Sequence, residues 1–306
     1  WINKILDKRE KMHLRLVKGA YWDYEIKHAQ VFGYEDYPVY SKKSLTDISF
    51  LLCAKEILKN EKIYAKFATH NAHTISSVHQ LGQGKDYEFQ RLYGMGELLY
   101  QSAEKVLNLE KKPSVYAPIG SYKDLLPYLV RRLLENGANS SFINRLLDPE
   151  TDANWLAENP AIRIEKEKID IPLPKNIFTE RKNSLGFDLS ENSNLENLEK
   201  SISAHKKNKI NAESIYVNRD EKEKVGQKVY SIANNEEIGT AIFDDPTNVK
   251  SALENFASEK WSKYSVQERS QILIKISNDI EKDPSELIFY LLNEAGKTIQ
   301  NAIDEI

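Results

Sequence analysis

The sequence predicts an α/β protein that contains half of a (βα)8 barrel, a connecting region and part of a second α/β domain. Short apolar runs typical of strands alternate with helical segments through residues 1–148, which is the pattern of βα units around a parallel sheet. Four such units in about 150 residues make half of an eightfold barrel, which needs about 250. Four of the ten prolines lie between Pro149 and Pro174, where long regular elements are therefore not expected. We divide the chain into residues 1–148, 149–215 and 216–306.

Each region has its own predicted elements. In the first region, strands are predicted at residues 13–17, 63–69, 87–92 and 115–117, and helices at residues 22–30, 45–59, from 74 onward and 122–136. The connecting region is expected to hold a short helix near residues 194–207. The last region is expected to contain a strand at residues 238–243, a helix capped by Thr247, a second helix from Ser265 and a third after Pro284.

Composition excludes several classes of protein. The 306 residues include 43 Lys and Arg against 46 Asp and Glu, a net charge of −3, so no basic field marks nucleic acid as a partner. The single Cys53 excludes an internal disulfide and a multi-cysteine metal site, which favours a reducing, cytosolic setting. Cys53 lies among apolar helical residues and is expected to be a small core residue. Because the chain starts at Trp1 and stops at Ile306 inside a helical pattern, we expect it to be a piece of a longer polypeptide.

The helix at residues 122–136 carries the most informative surface. Leu126, Leu129, Val130 and Leu133 form an apolar stripe, and the opposite face carries, at helical spacing, Tyr128, Arg131, Arg132 and Glu135. Two adjacent guanidinium groups bind a small carboxylate through bidentate hydrogen bonds. The same pattern also fits a solvated helix face with an Arg–Glu pair. Spacing alone favours the solvated face.

Polar residues also cluster where the predicted strands end. Lys18 and Gly19 follow the first strand, residues 69–71 follow the second, and Gln90 and Tyr116 lie near the ends of the next two. In a βα barrel these ends build the active site. His70 and His73 have the i, i+3 spacing of metal ligands, but the sequence offers no third ligand, so no metal site is predicted.

Four segments resemble the proline dehydrogenase domain of the bifunctional proline utilization A family. They occur in the family's order and approximate spacing across about 140 residues: residues 14–23 (LRLVKGAYWD), 67–74 (FATHNAHT), 87–90 (YEFQ) and 128–139 (YLVRRLLENGAN). The resemblance implies that residues 1–148 are the C-terminal half of a TIM-like barrel. Residues 181–188 (RKNSLGFD) and 294–298 (EAGKT) resemble the start of the family's aldehyde dehydrogenase module.

The resemblance implies FAD-dependent oxidation of L-proline to pyrroline-5-carboxylate, followed by NAD-dependent oxidation of glutamate semialdehyde to L-glutamate. It implies contacts with FAD for Arg15, Val17, Lys18, Gly19, Ala20, Trp22, Thr69, His70, Asn71, Gln90, Glu135 and Phe142. Arg131, Arg132 and Tyr116 would be the catalytic residues. The two arginines would pair with the carboxylate of proline, and Tyr21, Leu92, Tyr116 and Tyr128 would wall its ring. The motif that binds NAD and the second active site are expected to lie outside this chain.

The family's partners are a quinone acceptor of electrons and a membrane to which the enzyme binds peripherally from the cytoplasm. A homo-oligomer, or a complementary chain that supplies the other four strands, is expected. Two alternatives remain open. The chain is an inactive remnant or one half of a split enzyme, or it is an unrelated βα barrel that binds a phosphorylated carboxylate through Arg131 and Arg132.

Overall fold

A computed structural model describes residues 2–8, 10–137, 152–167, 171–213, 225–254 and 258–306. The chain forms two compact units. Unit 1 comprises residues 1–28 and 37–172, and unit 2 comprises residues 29–36 and 173–306. The division of the sequence into functional domains stays a prediction.

The described residues form seven strands and fourteen α-helices. The strands are β1 (Met12–Val17), β2 (Ile63–Ala68), β3 (Tyr87–Leu92), β4 (Ser114–Tyr116), β5 (Ile210–Glu213), β6 (Val225–Tyr230) and β7 (Glu237–Phe243). The helices are α1 (Ile2–Leu6), α2 (Trp22–Val31), α3 (Lys43–Lys59), α4 (Ala72–Leu81), α5 (Glu97–Leu107), α6 (Tyr122–Gly137), α7 (Ala153–Ala157), α8 (Pro160–Lys166), α9 (Asn192–Ala204), α10 (Pro246–Glu254), α11 (Ser258–Lys263), α12 (Val266–Lys282), α13 (Ser285–Asn293) and α14 (Ile299–Glu305).

Unit 1 is built on a parallel four-stranded sheet. Its strand order is β1-β2-β3-β4, so neighbours in the chain are neighbours in the sheet. This confirms the α/β class and all four strands predicted in the first region, each to within one residue at either end. Helix α5, between β3 and β4, was not predicted. The parallel order puts the carboxyl ends of all four strands at one edge of the sheet.

The two faces of this sheet differ in character. On one face, Ala65, Phe67 and Phe89 are buried against the helices in a core that also contains Phe50 and Tyr100. Residues on the alternate positions point to the other face, because successive side chains of a strand alternate. That second face carries polar side chains, among them those of His13, Arg15, Tyr64, Lys66, Glu88 and Gln90.

Helix α3 is fixed at its N-terminus by the connecting region. Both the backbone N–H and the hydroxyl of Ser44 donate to a carboxylate oxygen of Glu167, at 3.2 and 2.7 Å. Nζ of Lys42 donates to the carbonyl of Ile164 at 2.8 Å. The N-cap residue Lys42 makes no side-chain cap, so Glu167 accepts the hydrogen bond of the Ser44 N–H in the first turn of the helix. Part of the region predicted as a connection therefore packs as structure of unit 1.

Unit 2 holds a three-stranded sheet of order β5-β7-β6, in which β7 pairs parallel with β5 and antiparallel with β6. Its core contains Leu198, Ile202, Ile238, Ile288 and Phe289. Two glycines bring distant parts of this unit together: the N–H of Gly186 donates to the carbonyl of Gly33 at 2.9 Å. A Cβ at Gly33, whose φ is +62°, would lie 1.8 Å from the carbonyl oxygen of Ser184. Only glycine fits there.

Two local predictions were wrong. Cys53 is exposed, because the buried side of α3 falls on Phe50, Ala54 and Ile57, three and four residues apart. The cap of α10 is not Thr247, whose N–H and hydroxyl both donate to the carboxylate of Asp245. A carboxylate is the stronger acceptor, and Pro246 fits the first helical position. Among the described residues, no helix is long and apolar enough to cross a membrane.

Candidate active site

At the carboxyl edge of the unit 1 sheet, the polar face is ordered by side-chain hydrogen bonds within and between strands. Nε of Arg15 donates to the side-chain oxygen of Gln90 at 2.9 Å, and Nε2 of Gln90 donates to Glu88 at 3.0 Å. Glu88 also lies 3.4 Å from the ammonium of Lys66. Arg15, Lys66 and Glu88 are in register across three strands. The structure therefore brings together Arg15 and Gln90, two residues that the sequence placed on different strands.

Helix α6 presents its arginine face to these strand ends. The guanidinium of Arg131 lies over the ring of Tyr21 at 5.0 Å, and that of Arg132 lies over the ring of Tyr128 at 5.4 Å. Both arginines are half-buried, whereas the predicted apolar stripe is 44–73% exposed at Leu126, Leu129, Val130 and Leu133. In this structure the two arginines are therefore less exposed than the apolar stripe. Within the described residues, Nε of Arg131 is buried without a hydrogen-bond partner.

Tyr116 connects the two groups of cations. The guanidinium of Arg15 lies 5.0 Å from the centre of its ring. Burial raises the pKa of Tyr116, an effect that the positive charges of Arg15 and Arg132 oppose in part. The phenol is therefore protonated at neutral pH and has an O–H to donate. Because Arg15 can only donate, the phenol oxygen of Tyr116 accepts the hydrogen bond between them, and the ring lies in a positively charged site.

His70 and Thr69 are held by buried backbone contacts behind the strand ends. Nε2 of His70 accepts the N–H of Leu92 at 3.2 Å, so its proton lies on Nδ1. The hydroxyl of Tyr100 donates to the carbonyl of Thr69 at 2.8 Å. Leu92 is itself buried, and the hydrogen bond between its N–H and His70 connects the end of β3 to the end of β2.

Lys18 lies on the opposite side of the strand end from Arg15. Its ammonium donates to the carboxylate of Asp47 at 2.5 Å and to the hydroxyl of Thr74 at 3.0 Å. Thr74 is in the first turn of α4, whose N-cap is Asn71, and the oxygen of Asn71 accepts the N–H of Thr74. A helix N-terminus favours anions such as phosphate groups, and the ammonium of Lys18 adds positive charge there.

The structure describes most, but not all, of the remaining predicted site residues. Gly19 and Ala20 lie in the turn after β1, Val17 and Tyr21 are exposed, and Nε1 of Trp22 donates to the carbonyl of Tyr40. Glu135 lies in α6, but its side chain is outside the description, and Phe142 lies outside the described residues.

Four contributors were missed by sequence reasoning: Asp47, Thr74, Glu88 and Tyr100. Thr74 and Glu88 lie in segments that resemble the family, residues 67–74 and 87–90. The N-cap at Asn71 and the alternation of side chains in β3 could have indicated them. Asp47 and Tyr100 are on helices, and no local pattern places either beside a strand end.

Lowering the pH from about 7.5 to about 5.5 is expected to reduce the free energy of unfolding, partly through His70. Burial and, next, the charges of Arg132 and Arg91 lower the pKa of His70 in the folded chain. Below about pH 6.5 the unfolded chain binds a proton at this histidine that the folded chain does not bind. The free energy of unfolding therefore decreases as the pH is lowered. Urea denaturation at both pH values should show that the free energy of unfolding of His70→Gln differs less between the two pH values than that of the wild-type chain.

The exposed His13 provides the control, since His13→Gln should keep the wild-type difference. The pKa of His73 is lowered in the same direction, chiefly by burial, so His70→Gln removes only part of the dependence. An unchanged difference in His70→Gln would contradict the assignment.

Comparison with known proteins gives two family matches and a consistent set of relatives. Residues 3–145 match the model of the proline dehydrogenase family, and residues 216–306 match that of the aldehyde dehydrogenase family. The bifunctional protein PutA of Salmonella typhimurium is 39% identical over 97% of this chain and 24% of its own length. Proline dehydrogenase 1, mitochondrial, of Caenorhabditis elegans is 29% identical over 48% of this chain and 25% of its own length. A crystal structure of a Bradyrhizobium japonicum proline utilization A mutant superposes with a TM-score of 0.74 at 34% identity, covering 96% of this chain and 28% of that one. The chain thus spans about a quarter of the curated PutA relatives it matches.

Proposed function

From the premise that this chain belongs to the family of bifunctional proline utilization A proteins, we propose that its first region forms part of an FAD-dependent proline dehydrogenase. Residues 149–215 would connect it to residues 216–306, the N-terminal part of an NAD-dependent L-glutamate γ-semialdehyde dehydrogenase. The observation that carries the proposal is the position of Arg131 and Arg132 over the rings of Tyr21 and Tyr128, facing the strand end that bears Arg15.

The residues present fit a flavin dinucleotide. Lys18 and the positive end of the α4 helix dipole offer positive charge for the diphosphate. Arg15, held by Gln90, offers a guanidinium at the polar face of the sheet for the ring system. Val17, Gly19, Ala20, Trp22, Thr69, His70, Asn71, Glu135 and Phe142 would complete the contacts. When bound, FAD would accept a hydride from C5 of proline.

The arginines fit the substrate. A carboxylate accepts two parallel hydrogen bonds from one guanidinium, and the buried Nε of Arg131 is a donor without a partner among the described residues. Tyr21, Leu92, Tyr116 and Tyr128 would wall the pyrrolidine ring, which is apolar except at its nitrogen. The sign of the charge is also appropriate, because Arg15, Arg131 and Arg132 attract the carboxylate of proline.

These residues act chiefly by positioning. The two guanidiniums fix one end of proline, and the tyrosine rings restrict the tilt of its ring, so that C5 is held at one place. Burial raises the pKa of Tyr116, so its phenol stays neutral and would not be the base that removes the proton from nitrogen. The loss of a hydride from C5 and of a proton from nitrogen to solvent water leaves the C=N bond of pyrroline-5-carboxylate, which water opens to the semialdehyde.

The proposed setting is cytoplasmic, with peripheral association with the inner face of a membrane where a quinone accepts the electrons. The proposed assembly is a homo-oligomer or a pairing with a chain that supplies further strands. The latter has specific support, because β1 and β4 are both edges of the described sheet. An inactive remnant or a split-enzyme half is therefore the second candidate.

Purified chain supplied in trans with the other four barrel strands, from the Salmonella relative, is expected to retain a flavin absorption band from added FAD, and anaerobic L-proline is expected to bleach it. The measurement is repeated with the chain alone. Bleaching only in the mixture would favour the split-enzyme half. Bound flavin that proline fails to bleach in either arm would contradict the dehydrogenase.

A further inference from the structure

A second charged residue accompanies Lys18 at the proposed diphosphate site. The carboxylate of Asp47, on α3, is 14% exposed and lies 2.5 Å from the ammonium of Lys18 and 3.2 Å from that of Lys43. Burial alone would raise the pKa of Asp47, but the two ammonium groups bring it below its usual range. Asp47 is therefore an anion at neutral pH. Its charge is opposite to what a phosphate site needs, so it requires an explanation.

The contacts of Lys18 supply that explanation. A lysine has a flexible four-carbon stem and three N–H donors. Asp47 accepts one and Thr74 accepts another, while the ring of Phe50 lies 5.4 Å from the ammonium. Two fixed acceptors and one ring leave the ammonium a single position, beside the first turn of α4. Burial lowers the pKa of Lys18, and the charge of Asp47 opposes that effect, so Asp47 also keeps the ammonium protonated.

Asp47 is itself held in place. It lies one turn after Ser44, which donates twice to Glu167, and Lys42 is bonded to the carbonyl of Ile164. The N-terminal turn of α3 is thus fixed at several points. A carboxylate on a fixed turn can determine where a flexible lysine lies, whereas the reverse does not hold.

We propose that Asp47 is a positioning residue that holds the Lys18 ammonium at the N-terminus of α4 for the diphosphate of the cofactor. This inference rests on the proposed function, because it assumes that FAD binds there. Asp47 would not touch the cofactor. It would reduce the freedom that Lys18 must lose on binding, and for that reason it would increase affinity although it is an anion.

The test compares Asp47→Asn with a matched control in the full-length product of the gene that encodes this chain. The control is Glu56→Gln, which removes a carboxylate from an exposed ion pair of the same helix, 2.5 Å from Lys59. Binding is titrated with FAD and with riboflavin, which has the same ring system and no phosphate. Asp47→Asn should weaken FAD about ten- to hundredfold, the range of a charge-assisted hydrogen bond. Riboflavin and the Glu56→Gln control should be unaffected.

Two further variants separate positioning from folding. In a Lys18→Met background, Asp47→Asn should have no additional effect, since its partner is gone. Asp47→Glu, which keeps the carboxylate, should recover most of the FAD affinity. Equal losses for FAD and riboflavin, additive effects with Lys18→Met, or an unchanged FAD affinity would each overturn the role of Asp47. If the wild-type protein binds no FAD, the proposed function fails as a whole, and that outcome differs from a failure of Asp47→Asn alone.

Discussion

Replacing Arg131 with methionine is expected to raise the L-proline concentration for half-maximal flavin reduction by about 30-fold to several thousandfold, because truncating one partner of a buried charge pair costs about 2–5 kcal/mol. Arg131 is half-buried above Tyr21, and its Nε has no partner among the described residues, so substrate would supply the missing acceptor. Methionine keeps the unbranched stem and helix propensity, and thus isolates the loss of the guanidinium. The measurement is anaerobic flavin reduction in the full-length gene product at increasing proline concentration.

Two companion variants define the cause. Arg131→Lys keeps the charge and loses the planar pair of donors, so we expect an intermediate loss. Lys123→Met removes a cation from the exposed side of the same helix and should leave the proline dependence unchanged. If Lys123→Met weakens proline as much as Arg131→Met does, general attraction between charges explains the effect and the carboxylate clamp is wrong.

Replacing Phe67 with alanine is expected to lower the free energy of unfolding of unit 1 by about 3–5 kcal/mol. Phe67, in β2, has no exposed surface and lies at the centre of a ring cluster, 6.4 Å from Phe50, 5.8 Å from Tyr87 and 6.4 Å from Phe89. Removing the ring leaves a cavity between the sheet and α3, which the fixed N-terminus of α3 prevents from closing. Urea denaturation followed by far-UV circular dichroism measures the loss.

Leu52→Ala is the matched control for this prediction. Leu52 lies on α3, the same helix that covers Phe67, but it is 58% exposed. Its removal should change the unfolding free energy by no more than about 0.5 kcal/mol. A loss from Phe67→Ala no larger than that of the control would mean that this part of the core is loosely packed, and that the strand ends above it are not held as described.

Much of the fold could be predicted because its signals are local. The four strands of unit 1 and helices such as α3 and α6 follow from runs of apolar residues with a period of two or of three to four. Helix α5 was missed although Tyr100 and Ala103 are buried on it. It was missed because it has no N-terminal signal in the sequence. It starts after Gly96, whose backbone is in the left-handed region, and no side chain caps it. Glu167 was missed as a partner of Ser44 because 123 residues separate them.

By itself, the sequence determined the α/β class, the order of the strands and the polar residues at their ends, since each depends on neighbours within a few positions. It also carried the family's motifs. Only the tertiary structure decided which face of α6 meets those strand ends, whereas spacing alone favoured a solvated arginine face. An amphipathic pattern states that two faces differ, but the partner that each face meets comes from elements far away in the chain. Arg131 over Tyr21, Arg15 against Gln90 and Lys18 against Asp47 are such contacts. They exist only where parallel strands bring distant residues to one edge.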